Sequence, residues 1–354
     1  MSTNHLAENV IELLMQLIEI PSFSGEESQT ADCIQDWLHS KGVETQRIQN
    51  NVFALNKHYV PSKPNLLLNS HHDTVRPNKA YTLDPHKAEI IDGKLFGLGS
   101  NDAGGALVSL LGLFVHFYAA ENLTYNLIVA ATAEEESSGP NGLNSLLKDL
   151  PDIDVAIVGE PTQMQLAIAE KGLVVFDAVV KGTAGHAAHP NNDNPILKSM
   201  DVMQWFQNLQ FDKLSDTLGP AKLTITQINA GSQHNVVPSQ VNLVLDVRVN
   251  ECYTNQEIAD IVSQAPCEVT PRSLRLQSSS IDKEHPLVVA GIAMGRNTYG
   301  SPTLSDQAAL SCPSLKLGPG DSTRSHTADE FIYTDEIKEA VRLYIELLDQ
   351  VITS

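Results

Sequence analysis

Apolar positions recur along this chain with two periods, and the switching between them predicts the architecture. Val10, Leu13, Leu14 and Leu17 fall at helical spacing and place an amphipathic helix over residues 6–19. A second helix is predicted over 26–40, after the loop Pro21-Ser22-Phe23-Ser24-Gly25. Short strands are expected at 43–48 and 52–56. The compact apolar run Leu66-Leu67-Leu68 then ends in Asn69-Ser70-His71-His72-Asp73. Residues 76–96 read as loop. A long helix follows from Ala103 to about Glu121, then a strand at 127–133, a helix at 141–148 and a strand over 155–158. Strands alternating with helices predict an α/β fold with a largely parallel sheet.

The pattern changes after Lys171-Gly172. Residues 173–181 alternate as a half-exposed strand, 194–208 are helical, and 222–229 and 240–249 alternate again. A helix at 253–265 and a strand at 266–276 complete a βαββαβ order, the ferredoxin-like split. The reading is a smaller α+β domain, 173–283, inserted into a discontinuous domain of 1–172 and 284–354. The latter resumes with a helix at 285–298, a buried strand at 314–317 and a closing helix at 334–352.

Composition narrows the function classes. The 354 residues are enough for a large core, and a formal charge of −20 argues against nucleic acid or an anionic membrane as partner. Cys33, Cys252, Cys267 and Cys312 lie far apart with no zinc-type spacing, so a metal would rest on His and carboxylates. The first twenty residues carry Glu8, Glu12 and Glu19 and no basic stretch, unlike a signal peptide; no apolar run reaches membrane-span length. The expected location is the cytoplasm, with reduced thiols.

The candidate chemistry sits at strand ends. Glu134-Glu135-Glu136 closes the strand 127–133, where open α/β sheets place their sites. Such a triplet is either a solvated loop or part of a metal site. His71-x-Asp73 follows another strand, and Asp73 is placed to fix the imidazole tautomer. Asp102 follows Gly97-x-Gly99 at a helix start, where it is either an N-cap or a carboxylate able to bridge cations. Glu160 is kept at a strand tip by Pro161, and His326 lies in a Gly-rich loop before the last helix. His71, Asp102, Glu136, Glu160 and His326 together make a His/carboxylate ligand set for zinc, with Glu135 left over as a base. His72, His116, His189 and His285 are read as structural or surface histidines.

The segments Ser-His-His-Asp-Thr-Val, Gly-x-Gly-x-x-Asp, Ala-Glu-Glu-Glu, Gly-Glu-Pro-Thr and Ser-His-Thr-Ala-Asp-Glu occur in order across nearly the whole chain. In this the sequence resembles the di-zinc aminoacylase and exopeptidase family, which includes acetylornithine deacetylase, succinyl-diaminopimelate desuccinylase and carboxypeptidase G. The resemblance implies two zinc ions, with Co²⁺ or Mn²⁺ as alternatives. His71 and Glu160 would hold one ion, Glu136 and His326 the other, and Asp102 would bridge them. It further implies Asp73 as the residue orienting His71, Glu135 as general base, and a cis peptide at Asp102–Ala103. In the inserted domain it implies His186 at the oxyanion, within its own subunit or across a homodimer formed through that domain. Arg248, Asn235 and Arg324 are the implied substrate contacts.

The segments Gly318–Glu330 and Asp246-Val-Arg248 look more like acetylornithine deacetylases than desuccinylases. The expected reaction is therefore hydrolysis of N-acetylornithine, in arginine biosynthesis. An N-acetylcitrulline or N-succinyl-amino acid deacylase, a dipeptidase or carboxypeptidase of the same family, and a metal-free binding protein on the same fold remain as alternatives. The partner in the enzyme readings is a small N-acyl amino acid.

Overall fold

The computed structural model describes residues 2–353. The chain forms two compact units. One holds the residues up to Ile168 with Ser280–Tyr299 and the chain from Ser305 onward; the other holds Ala169–Ser279 and Gly300–Leu304.

The first unit is built on a sheet in the order Gln46–Ile48, Asn51–Leu55, Asn126–Thr132, Asn65–His71, Val155–Val158, Ser314–Lys316 and Leu166–Glu170. The four central strands, Asn126–Thr132 to Ser314–Lys316, pair in parallel; the flanking ones pair antiparallel. Both faces are covered, which is why these strands read as apolar runs without alternation. Alternation decides which face each residue serves. Leu66, Leu68, Leu127, Val129 and Ile157 join a core with helices Thr3–Ile18, Gly105–Phe117 and Thr334–Ile352. Leu67, Ile128, Ala130, Ala156 and Val158 pack on the opposite side with Leu143 and Leu146. The parallel strands Asn65–His71 and Asn126–Thr132 are in register from Asn65↔Asn126 to His71↔Thr132, so His71 and the acidic triplet emerge at the same edge.

Three expectations change. Residues 76–96 contain a hairpin, Glu89–Ile91 with Lys94–Phe96, extended by Phe331–Tyr333 into a three-stranded sheet. Its turn, Asp92-Gly93, has φ of 51° and 78°, and Asp-Gly between apolar residues is a strong hairpin signal. The strand Leu166–Glu170 was not expected; it runs almost directly into the next strand, Gly172–Lys181, leaving no turn residues to mark it. The helix after the Gly-x-Gly loop begins at Gly105, with Gly104 as its cap, so Asp102 is not an N-cap. Asp102 lies in a wide turn, Ser100–Gly104, with φ −121° and ψ 98°, and the Asp102–Ala103 peptide is cis.

The second unit has an antiparallel sheet in the order Lys222–Ala230, Gln240–Val249, Gly172–Lys181, Glu268–Pro271. With helices Pro195–Asn208 and Asn255–Val262 this is the βαββαβ plan. Val174, Phe176, Ala178 and Val180 face Val202, Phe206, Ile258 and Val262 in its core, together with the odd-numbered positions from Val241 to Val249. Among the described residues, no helix is long and apolar enough to cross a membrane.

Candidate metal centre

His71 is the last residue of its strand and is buried. Its Nδ1 lies 2.9 Å from the backbone carbonyl of Asp73. A carbonyl only accepts, so Nδ1 carries a proton, and in the neutral ring it is Nε2 that holds the lone pair. The expected tautomer lock is thus present, but the main chain provides it; the Asp73 carboxylate lies further off, with Oδ1 at 3.4 Å. Nε2 of His71 has no hydrogen-bond partner. It faces Oδ1 of Asp102 at 3.5 Å, Oε1 of Glu160 at 3.9 Å and Oε2 of Glu135 at 4.0 Å. Burial opposes charging His71, yet Asp102 and Asp73 outweigh it and hold the imidazole well above its ordinary pKa.

His326 completes the other side. Its Nε2 lies 3.0 Å from Oε2 of Glu136 and 3.6 Å from Oδ2 of Asp102. The Glu136 carboxylate, followed by Asp102, pushes His326 up to about 9. The two oxygens of Asp102 therefore face two different histidines, one each. One ligand atom each from His71, Asp102 and Glu136 lie within 4.8 Å of one another, the span of a cation site. A buried imidazole nitrogen with no partner among several carboxylates fits a divalent cation, which the donor set of His and carboxylate suits.

The acidic triplet divides because the chain turns through it. Glu134 has φ 55°, and its carboxylate accepts from the Asn141 backbone N–H and side-chain amide at 3.0 and 2.8 Å. Glu135 points toward His71 and Glu136 toward His326. Asp73 accepts the backbone N–H groups of both, at 3.1 and 3.2 Å, and the Ser24 hydroxyl at 2.7 Å. Burial is the main cause that pushes Glu135 well above the usual carboxylate range; Glu160 and Asp306 add to it and His71 opposes it. Beneath the strand end, His72 is buried, with Nε2 2.9 Å from the Asn50 carbonyl and Nδ1 2.9 Å from Thr30 Oγ1.

Two further carboxylates belong to this neighbourhood, Asp306, whose turn with Ser305 was a candidate for substrate selection, and Glu330. Asp306 accepts the Thr132 hydroxyl at 2.6 Å, and burial raises it to about 6. Glu330 is buried and accepts backbone N–H groups of Gly99, Asn101 and Asp102; burial pushes it up to about 8. The positions were visible in the sequence, Glu330 as the end of the Ser-His-Thr-Ala-Asp-Glu segment, but not the atoms they meet. Asp306 belongs to a short 3-10 turn, Asp306–Ala309, and Glu330 stands beside Asp329 like any acidic loop pair.

His71, Asp73, Asp102, Glu135, Glu136, Glu160 and His326 thus gather in the first unit. His186, Asn235 and Arg248 belong to the second. There the two-stranded pairing of Gly185–His186 with Val236–Val237 brings His186 and Asn235 close, and the Asn235 carbonyl accepts the Ala187 N–H at 2.9 Å. Arg248 pairs with Asp246 on its own strand, at 2.9 and 3.1 Å. Arg324 is in the first unit, where Glu336 takes two of its nitrogens at 2.7 and 3.0 Å and its guanidinium lies over the Phe331 ring. To hold a substrate carboxylate, Arg324 would first have to leave Glu336.

The profile of peptidase family M20/M25/M40 matches residues 67–350, a span that includes every one of these ligand candidates. The chain belongs to that family. It is thereby a hydrolase, and with this donor set a metal-dependent amidohydrolase. Among curated relatives, a succinyl-diaminopimelate desuccinylase of Wolbachia pipientis subsp. Culex pipiens (strain wPip) is 27% identical, over 96% of this chain and 92% of that protein. A probable carboxypeptidase of Aspergillus flavus is also 27% identical, over 98% of this chain and 91% of that protein. Of solved structures, a dinuclear metal binding peptidase of the M20 family from Bacillus subtilis shares the fold with a TM-score of 0.74 at 17% identity, covering 99% of both chains. These relatives carry the family expectation but not the narrower one of acetylornithine deacetylase.

Proposed function

We propose that this M20-family protein hydrolyses the amide bond of an N-acyl amino acid at a two-cation centre. The observation that carries the reading is Asp102, whose two oxygens face the unpartnered Nε2 of His71 and the Nε2 of His326. His71 and Glu160 would hold one cation, Glu136 and His326 the other, with Asp102 between them. Zinc suits the donor set, as do Co²⁺ and Mn²⁺. When bound, such cations polarise an amide carbonyl and lower the pKa of a nearby water.

The chain's own residues supply the rest. Glu135 lies half-buried beside the cluster without being needed as a ligand, and we assign it the proton transfers: it takes a proton from water and returns it to the leaving amine. Asp73 fixes the backbone of Glu135 and Glu136. From the second unit we propose His186 as the donor to the developing oxyanion and Arg248, with Asn235, as the substrate-carboxylate contact. In this reading the second unit acts as a lid and as the interface of a homodimer. Arg324 is left out, because Glu336 already holds it.

The names of the curated relatives make an N-succinyl amino acid the first substrate to test, ahead of N-acetylornithine. The Aspergillus flavus relative supports a second reading, a carboxypeptidase. Metal content of the purified protein, with hydrolysis of succinyl-diaminopimelate, succinylornithine, acetylornithine, acetylcitrulline and a dipeptide, tests both. Turnover of an acyl amino acid supports the proposal. Cleavage of the dipeptide alone replaces it with the second reading, and no metal with no turnover removes both.

A further inference from the structure

Glu330 lies four residues after His326, and its residue is 2% exposed. Its Oε1 accepts the backbone N–H of Asn101 at 2.8 Å and of Asp102 at 2.9 Å; its Oε2 accepts that of Gly99 at 3.2 Å. The three amides lie in, or immediately before, the turn that presents Asp102, which is 228 residues away in sequence. Three amides converging on one point need an acceptor with several lone pairs, and a carboxylate has about four. The Glu330 backbone carbonyl takes a further amide, that of Gly97 in the loop leading into this turn, at 3.0 Å. A second tie joins the same two segments: Asn101 donates from its side chain to the Asp321 carbonyl and accepts the Asp321 N–H, both at 3.0 Å. The turn bearing Asp102 and the loop bearing His326 are therefore stapled on both sides of His326.

We infer that Glu330 is a positioning residue for the cation centre, holding the Asp102 turn against the His326 loop so that the two oxygens of Asp102 face His71 and His326 before any cation arrives. The inference rests on the cation reading of the site. Glu330 points to backbone amides rather than into the cluster, so it acts through Asp102 and not as a ligand.

The test is zinc binding to chelator-stripped protein, followed by calorimetry and, with cobalt, by the visible absorption spectrum. Glu330→Gln keeps the size but replaces one acceptor oxygen with an amide group. It should fold, lose 10- to 100-fold in affinity for at least one cation, and give an altered cobalt spectrum. Ile332→Val, a buried neighbour with no hydrogen bond to the turn, is the control for general destabilisation; it should lower the melting temperature and leave zinc affinity unchanged. Wild-type affinity and spectrum in Glu330→Gln overturn the inference and leave the cation reading standing. A wild-type protein that takes up no zinc overturns the cation reading, and this inference with it. Should Glu330→Gln fail to fold, amide hydrogen exchange on the metal-free wild type decides. Slow exchange at Gly99, Asn101 and Asp102 supports a preformed turn, and exchange at open-peptide rates overturns it.

Discussion

Asp73 holds Glu136 through the main chain: its Oδ2 accepts the Glu136 N–H at 3.2 Å, while its Oδ1 accepts that of Glu135 at 3.1 Å. One carboxylate thus orients both a candidate ligand and a candidate base without touching either side chain. Asp73→Ala strands two amides and frees the turn between them. It should lower zinc affinity 10- to 100-fold and lower kcat/KM with it, as measured by calorimetry and steady-state kinetics. Unchanged affinity would remove Asp73 from the metal site's support.

Neighbours in the triplet should separate by phenotype. Glu135→Gln should keep bound metal and lose roughly 10²- to 10⁴-fold or more in kcat. Glu136→Ala should lose metal, because its carboxylate is the one against His326. Metal analysis beside kcat reads both, and near-full activity of a zinc-loaded Glu135→Gln protein would end the base assignment.

Zinc uptake should depend on pH through His326. In the metal-free protein the Glu136 carboxylate holds this imidazole up to about 9, against 6.5 for an ordinary histidine. The His326–Glu136 pairing stabilises the fold fully below pH 6.5 and is lost as pH rises through about 9. A ligand imidazole must be neutral, so the cation competes with that proton. Zinc affinity should therefore climb between pH 6.5 and 9, with proton release seen by calorimetry in buffers of different ionisation enthalpy. His326→Ala should lose this component of the release.

Acid sensitivity should arise from His72. Burial holds it down to about 4, so between pH 6.5 and 4 the unfolded chain takes up a proton that the folded one refuses. Stability should fall as pH drops from 6.5, by at most about 3 kcal/mol from this group, and level off below 4. Urea unfolding across that range, compared with His72→Asn, measures it. An unchanged pH slope in the variant would exclude His72 as the source.

The two arginines should also separate. Arg248→Ala should raise KM for an acyl amino acid with little change in the melting temperature. Arg324→Ala should leave KM within about threefold and destabilise the protein by roughly 1.5–3 kcal/mol, since it strands a partly buried Glu336. A large KM rise for Arg324→Ala would restore it as a substrate contact.

Sequence by itself determined the parallel core and the positions where chemistry could emerge from it. Leu66-Leu67-Leu68 and the run from Leu127 to Thr132 can be buried on both faces only in such a sheet, and their polar ends must then lie at one edge. Motif order and spacing also singled out the candidate ligands, because each follows a local strand or turn signal. Tertiary structure decided what depends on chain segments meeting. Within three identical residues, Glu134, Glu135 and Glu136, the positive φ at Glu134 and the partners Asn141, His71 and His326 set where each side chain goes. Arg324 looked available until Glu336 was beside it. Glu330 closes the Ser-His-Thr-Ala-Asp-Glu segment, but what it does there was not legible, because its partners are backbone amides 228 and more residues away in sequence. Periodicity reports which side of an element is buried; it does not report which distant atom fills a hydrogen bond there, and that pairing exists only once the fold has closed.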